Sequence, residues 1–164
     1  MQSLHMQLKY PMPKTSAPTQ AQGCTNFKLR QLLRSVARLY DAQLAKTGLK
    51  STQYSLLSHV AALGPVAPKA LAARMGMDAS TLTRNLRALI DQGWCEQGPG
   101  ADARSRSITT TPAGRAKHAE AKAHWKRAQL SLNRRLGDDQ VAALHAMIET
   151  VQAALADGDR AVED

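Results

Sequence analysis

Gly48, Gly64-Pro65, Gly76 and Gly93 interrupt the chain at intervals of 12 to 17 residues. Glycine is the commonest residue just past a helix end, and proline cannot continue a helix, so this stretch can hold only short helices. Each interval also opens on a start signal. Ser51 or Thr52 can cap a helix striped by Tyr54, Leu57, Val60 and Ala61. Pro68 suits the first turn of KALAARM, and Asp78 or Ser80 can cap STLTRNLRALIDQ. Val66 and Ala67 leave room for only a very short strand. Aromatic residues make up 4% of the chain, and Ala and Leu are abundant, so the interior is expected to be built from aliphatic helix formers.

The flanks carry longer patterns. From Asn26 to Lys46 the residues Leu29, Leu32, Leu33, Val36, Tyr40 and Leu44 recur at helical spacing, with Arg30, Arg34 and Arg38 between them. After Gly93, WCEQ and SITTT read as a hairpin whose turn, GPGADARSR, is rich in Gly, Pro and Arg. Thr111-Pro112 then starts a long helix ending near Leu136, and Asp138 or Asp139 can cap a sixth from about Gln140 to Ala156. The expected order is ααααββαα, mostly α. Residues 1–23, with Pro11, Pro13 and Pro18 among polar residues, read as a disordered leader, and residues 158–164 as an acidic tail.

Of 164 residues, 22 are Lys or Arg and 13 Asp or Glu, a formal charge of +9. Residues 1–137 hold 21 of the cations against 6 acids, and residues 138–164 hold 1 against 7. A basic body of this kind suits a polyanionic partner. Cys24 and Cys95 form no CxxC pair and no disulfide framework, which points to a reducing, cytoplasmic setting. No apolar run approaches the roughly 18 to 20 residues of a membrane span. The five histidines are scattered, and P-loop, GxSxG and HExxH patterns are missing, so no metal, cofactor or enzymatic activity is expected.

Leu71, Ala72, Met75, Gly76, Met77 and Leu82 fit a helix-turn-helix, with Ala72 small at the crossing and Gly76 at the turn. In the second helix of that pair Leu82, Leu86 and Leu89 share one face, leaving Thr81, Thr83, Arg84 and Arg87 mostly off it. Hydroxyls near a helix N-terminus can hold phosphate, and Arg can bind guanine bidentately. A merely solvated face is the bland alternative. Arg104 and Arg106 on the hairpin favour the first reading, since a ribbon after such a helix pair can grip phosphate or enter a minor groove.

LKSTQYSLLSHVA (49–61), LAARMGMDASTLTRNLRALIDQGW (71–94) and DARSRSITTTPAG (102–114) resemble, in order and spacing, the MarR family of winged helix-turn-helix regulators. The likeness runs from Asn26 to about Ala156 and implies a domain over 24–157, with a reading lobe at about 50–111 and dimerisation helices at 24–47 and 112–157. It implies a homodimer on double-stranded DNA with a pseudo-palindromic operator. Ser80, Thr81, Thr83, Arg84 and Arg87 would be recognition-helix contacts, with Asp102, Arg104 and Arg106 on the wing. The tail stripe Val141, Leu144, Ile148, Val151 and Leu155 then finds its partner across the dimer, or else packs within one subunit.

Many regulators of this family release DNA on binding a small aromatic or phenolic acid. By position Arg34, Arg38, Tyr54 and His59 are the residues for such an effector, a cation for the carboxylate and aromatic edges for the ring. Core packing and dimer ion pairs are the competing readings of these residues. Peroxide sensing through Cys24, just before the first helix, is a second mode of control, and Cys95 reads as a small buried residue. Sequence-tolerant, architectural DNA binding is a third possibility.

Overall fold

Every glycine stop named above falls at or beside an element boundary. The computed structural model describes residues 23–100 and 105–160; the leader up to residue 22, Asp102 and Arg104 of the wing turn, and residues 161–164 lie outside them. Helix α1 runs Thr25–Leu44 and tightens into a single 3-10 turn, Ala45–Thr47, closed by Gly48 at φ +75°. Then come α2 (Ser51–Leu63), α3 (Pro68–Met75), α4 (Ala79–Asp91), β1 (Cys95–Pro99), β2 (Arg106–Thr110), α5 (Pro112–Leu136) and α6 (Asp138–Arg160). This is the mostly helical winged helix-turn-helix expected, in the order ααααββαα.

Several local details differ from expectation. Helix α2 is not capped by Ser51 or Thr52: Ser51 is already helical, and its N–H donates to Asp41 Oδ1 of α1 at 2.7 Å. Gln53 Oε1 accepts from the Lys50 N–H at 2.9 Å. A side chain ten residues upstream thus satisfies a helix end that local sequence would have to satisfy alone. Asp138 and Asp139 lie in the first turn of α6 rather than before it, where carboxylates still favour the helix dipole. Helix α6 also begins earlier and runs further than the pattern from Gln140 to Ala156. Gly98, Pro99 and Arg106, expected in the turn, extend the antiparallel ladder, with Pro99 opposite Arg106. The very short strand expected at Val66 and Ala67 is a single antiparallel bridge between Val66 and Ile108.

The core sits in the lobe built by α2, α3, α4 and the wing and continues under α5. Leu44, Leu49, Leu56, Leu57, Leu71, Leu82, Leu89 and Ile108 are all buried there, and each such side chain contributes roughly 1.5–3 kcal/mol relative to exposure. Helices α1 and α5 pack antiparallel: Tyr40 meets Gln129, while Thr47 further along meets Lys117. Ala121 and Ala128 of α5 are both fully buried. Gly114 lets α5 start against the wing, since a Cβ there would lie 1.8 Å from the Trp94 carbonyl oxygen.

Candidate functional site

The α3–α4 pair turns on Gly76, at φ +59°, where the Met77 N–H returns to the Ala72 carbonyl at 3.0 Å. Leu82, Leu86 and Leu89 anchor α4 in the core. The opposite face is exposed, and its start is held by Asp78. One carboxylate oxygen accepts from the Thr81 N–H (2.7 Å) and from Ser80 Oγ (2.6 Å), and the other from Thr81 Oγ1 (2.8 Å). These bonds, led by the Ser80 hydroxyl, hold the Asp78 carboxyl far below the usual carboxylate range, so it stays charged.

That cap redistributes the expected contacts. The hydroxyl donors of Ser80 and Thr81 point at Asp78, and Thr83 Oγ1 donates to the Ala79 carbonyl at 2.7 Å. The start of α4 is thus capped by the Asp78 carboxylate, and in this structure the hydroxyl donors expected to meet phosphate are engaged within the helix itself. Among the described residues Arg84 has no hydrogen bond or ion pair, and Arg87 has only a loose 3.7 Å pair with Asp91, both well exposed. Arg84 and Arg87 are thus the side chains on this face left to make new bonds. On the wing Arg106 is exposed at the start of β2, while Ser107 Oγ closes the ladder onto the Pro99 carbonyl at 2.8 Å.

Behind the lobe, α1, α2 and α5 line an open cavity of about 340 Å³. Its aromatic wall is Tyr40, Tyr54, His118 and Trp125; Tyr54 stacks on His118 at 5.7 Å and on Trp125 at 6.1 Å between ring centroids. Lys122 supplies a cation, and Ser51, Ser55 and Ser58 supply hydroxyls. Ser58 Oγ is buried with no hydrogen-bond partner among the described residues. His59 reaches this wall with Nδ1 bonded to the Ser55 carbonyl at 2.8 Å. Burial first, and the Lys122 charge second, push the His118 imidazole below its ordinary value, so it is neutral at pH 7.

Tyr54 and His59 are therefore brought together, but Arg34 and Arg38 are not with them. Both lie exposed on α1, and Arg38 donates to Ser35 Oγ at 3.1 Å. The cation that lines this pocket is Lys122 of α5. His118, Lys122 and Trp125 were missed in the sequence, although their spacing of four and three residues marks one face of α5.

Tyr40 has two sides. It lines the cavity, and it also lines an apolar groove of about 480 Å³ formed by Leu29, Leu32, Leu33, Leu132, Leu144 and Ile148. Its hydroxyl donates to Gln129, whose amide donates in turn to Asn133 at 2.8 Å, and burial raises the phenol above its ordinary range. Cys24 is exposed at the N-cap of α1; Cys95 is buried, with its thiol pushed up to about 11. Among the described residues no helix is long and apolar enough to cross a membrane, and no cluster of potential metal ligands forms.

Comparison with known proteins agrees with this geometry. The family model described as the MarR family matches residues 47–105. An uncharacterized HTH-type transcriptional regulator of Bacillus subtilis, YwoH, is 29% identical over 93 residues, which span 57% of this chain and 68% of that protein. The transcriptional regulator MosR of M. tuberculosis, solved in complex with DNA, is 32% identical with a TM-score of 0.72, over 82% of this chain and 98% of that one. The transcriptional repressor CouR, bound to a 23-mer DNA duplex, is 26% identical with a TM-score of 0.72, over 79% of this chain and 92% of that one.

Proposed function

The chain belongs to the MarR family of DNA-binding transcriptional regulators, and from that premise we propose that it is a homodimeric repressor of a pseudo-palindromic operator, released by a small aromatic or phenolic acid. The observation that carries the DNA-reading half is the state of α4: its hydroxyls are committed to its own backbone and cap, and Arg84 is free and exposed. Arg84 reads a base, Arg87 joins it by leaving Asp91, and Arg106 grips phosphate together with Arg104 of the wing turn. Ser80 and Thr81 set the helix start, and Thr83 offers its methyl group. Asp102 shapes the wing.

Two chains set two α4 helices about 34 Å apart when they share a two-fold axis. The exposed apolar residues of α1 and α6 support this pairing, and so does their charge: α1 is basic, and α6 opens on Asp138 and Asp139.

The cavity supports the effector. Its volume falls within the usual range for small-molecule sites, and Tyr54 and Trp125 offer faces for a ring. Lys122 holds the carboxylate, and the unpartnered Ser58 hydroxyl bonds a phenol. Peroxide control through Cys24 is the rival reading; it draws on an exposed thiol at a helix start but has no second exposed thiol among the described residues.

Fluorescence anisotropy on the chain's own upstream DNA and on a random duplex tests the reading. A preference of about 10³ is expected for the regulator. Arg84→Ala should cut that preference by about 1–3 kcal/mol, whereas Arg106→Ala should weaken both duplexes alike. Equal binding of both duplexes by the unaltered protein would overturn the repressor in favour of an architectural role. A panel of hydroxybenzoic acids should raise the melting temperature, and Lys122→Met should abolish the rise.

A further inference from the structure

The cavity behind the lobe does not end at His59. Ser58 and His59, which line it, also line a second hollow of about 240 Å³ whose other walls are Ala62 and Leu63 of α2 and Arg74 of α3. Helix geometry makes the two hollows one track. Tyr54, Ser58 and Ala62 step by four residues, and so do Ser55, His59 and Leu63, so the two rows stand side by side on one face of α2. Each row runs about 12 Å at 1.5 Å per residue, longer than a single ring with its carboxylate.

The chemistry changes along this track. Its first end is aromatic, with Tyr54 stacked on Trp125, and holds the Lys122 cation. The middle is polar. The buried Ser58 hydroxyl has no hydrogen-bond partner among the described residues. His59 Nδ1–H donates to the Ser55 carbonyl, so Nε2 of the neutral ring is left as an acceptor. The far end is apolar at Leu63, 43% exposed, beside a second cation, Arg74. Arg74 is exposed and has no acidic partner among the described residues, and no carboxylate lines either hollow. Leu63 and Arg74 belong to the reading lobe, not to the apolar faces of α1 and α6 assigned to pairing.

We propose that the effector is an elongated aromatic diacid: its ring and first carboxylate sit among Tyr54, Trp125 and Lys122, a short linker passes Ser58 and His59, and a second carboxylate ends on Arg74. The inference rests on the effector reading above and deepens it by naming the ligand's length and second charge. Two cations at opposite ends of a track without acids match two anions, and a single-ring acid leaves the far one unmet. A ligand of this length also joins α5 to α3, the first helix of the helix-turn-helix, and so ties the long helix to the element that carries α4.

Isothermal titration calorimetry on the full chain without DNA tests this with 4-(carboxyalkoxy)benzoic acids of increasing linker length. The controls are 4-alkoxybenzoic acids of matching length and 4-hydroxybenzoic acid. The best diacid should bind about fivefold tighter than its uncharged-tail counterpart, equivalent to an exposed ion pair of about 1 kcal/mol. Arg74→Gln should remove that gain while leaving 4-hydroxybenzoic acid binding within about twofold, and Arg74→Lys should keep most of it. Ala62→Phe, which fills the track past Ser58 from an exposed position, should act like Arg74→Gln. If neither 4-hydroxybenzoic acid nor any diacid binds, the effector reading itself fails. Binding of 4-hydroxybenzoic acid with no gain from the second carboxylate, or a gain that survives Arg74→Gln, would overturn the second anchor alone. Arg74→Gln weakening duplex DNA but not the diacid would also overturn it, by giving Arg74 to phosphate.

Discussion

The two cysteines stand in opposite environments, Cys95 buried and Cys24 exposed. Burial holds the Cys95 thiol protonated, while Cys24 stands in solvent at the start of α1. A thiol reagent at pH 8 should therefore modify one cysteine in the native protein and the second only on unfolding, with rates apart by about 10² or more; mass spectrometry of the labelled peptides decides it. His118 carries a pH signature. Its folded value lies below its unfolded one, so the stability it lends is whole above about pH 6.5 and is lost as pH falls through the folded value. The melting temperature should drop between pH 7.5 and 5.5, and less so in His118→Gln. At this scale the Asp78 cap of α4 was legible, because a capping residue acts within one turn. The cavity was only half legible. Arg34 and Arg38 share helix α1 with the groove-lining stripe but point off it, and Lys122 enters through the packing of α5 on α2, which no local pattern specifies.

Two glycines separate strain from steric fit. At Gly76 a Cβ meets nothing within 4 Å, so Gly76→Ala should cost only the left-handed backbone term, about 1–2 kcal/mol, and Gly76→Asn less. Gly114→Ala places the Cβ on the Trp94 carbonyl and should destabilise more, by about 3 kcal/mol or above, because backbone must shift. Urea unfolding of the three variants measures the ordering. Element order was readable because Gly, Pro and capping residues act within one turn. The ends that were misplaced are those governed from afar: Asp41 supplies the bond at the start of α2, and the cross-strand partner of Arg106 draws it from the turn into the ladder.

Helix α6 is 23 residues long, yet Val141 is its one buried side chain among those described. Met147, Ile148, Val151 and Leu155 remain exposed, as do Leu29, Leu32 and Leu33 of α1. A helix so exposed gains little from its own chain, so in the proposed dimer association supplies most of its stability. Ile148→Glu or Leu33→Glu should shift sedimentation to the monomer and reduce affinity for a two-half-site duplex by about 10² or more, with the reading lobe still folded. Tyr40 bears on the same assembly. One phenol ring is the partition between an aromatic chamber and an apolar seat, pinned in place through Gln129 and Asn133. Trimming it to admit bulkier compounds would open the one into the other, so in the proposed regulator chemical selectivity and subunit pairing could not be retuned separately at this position.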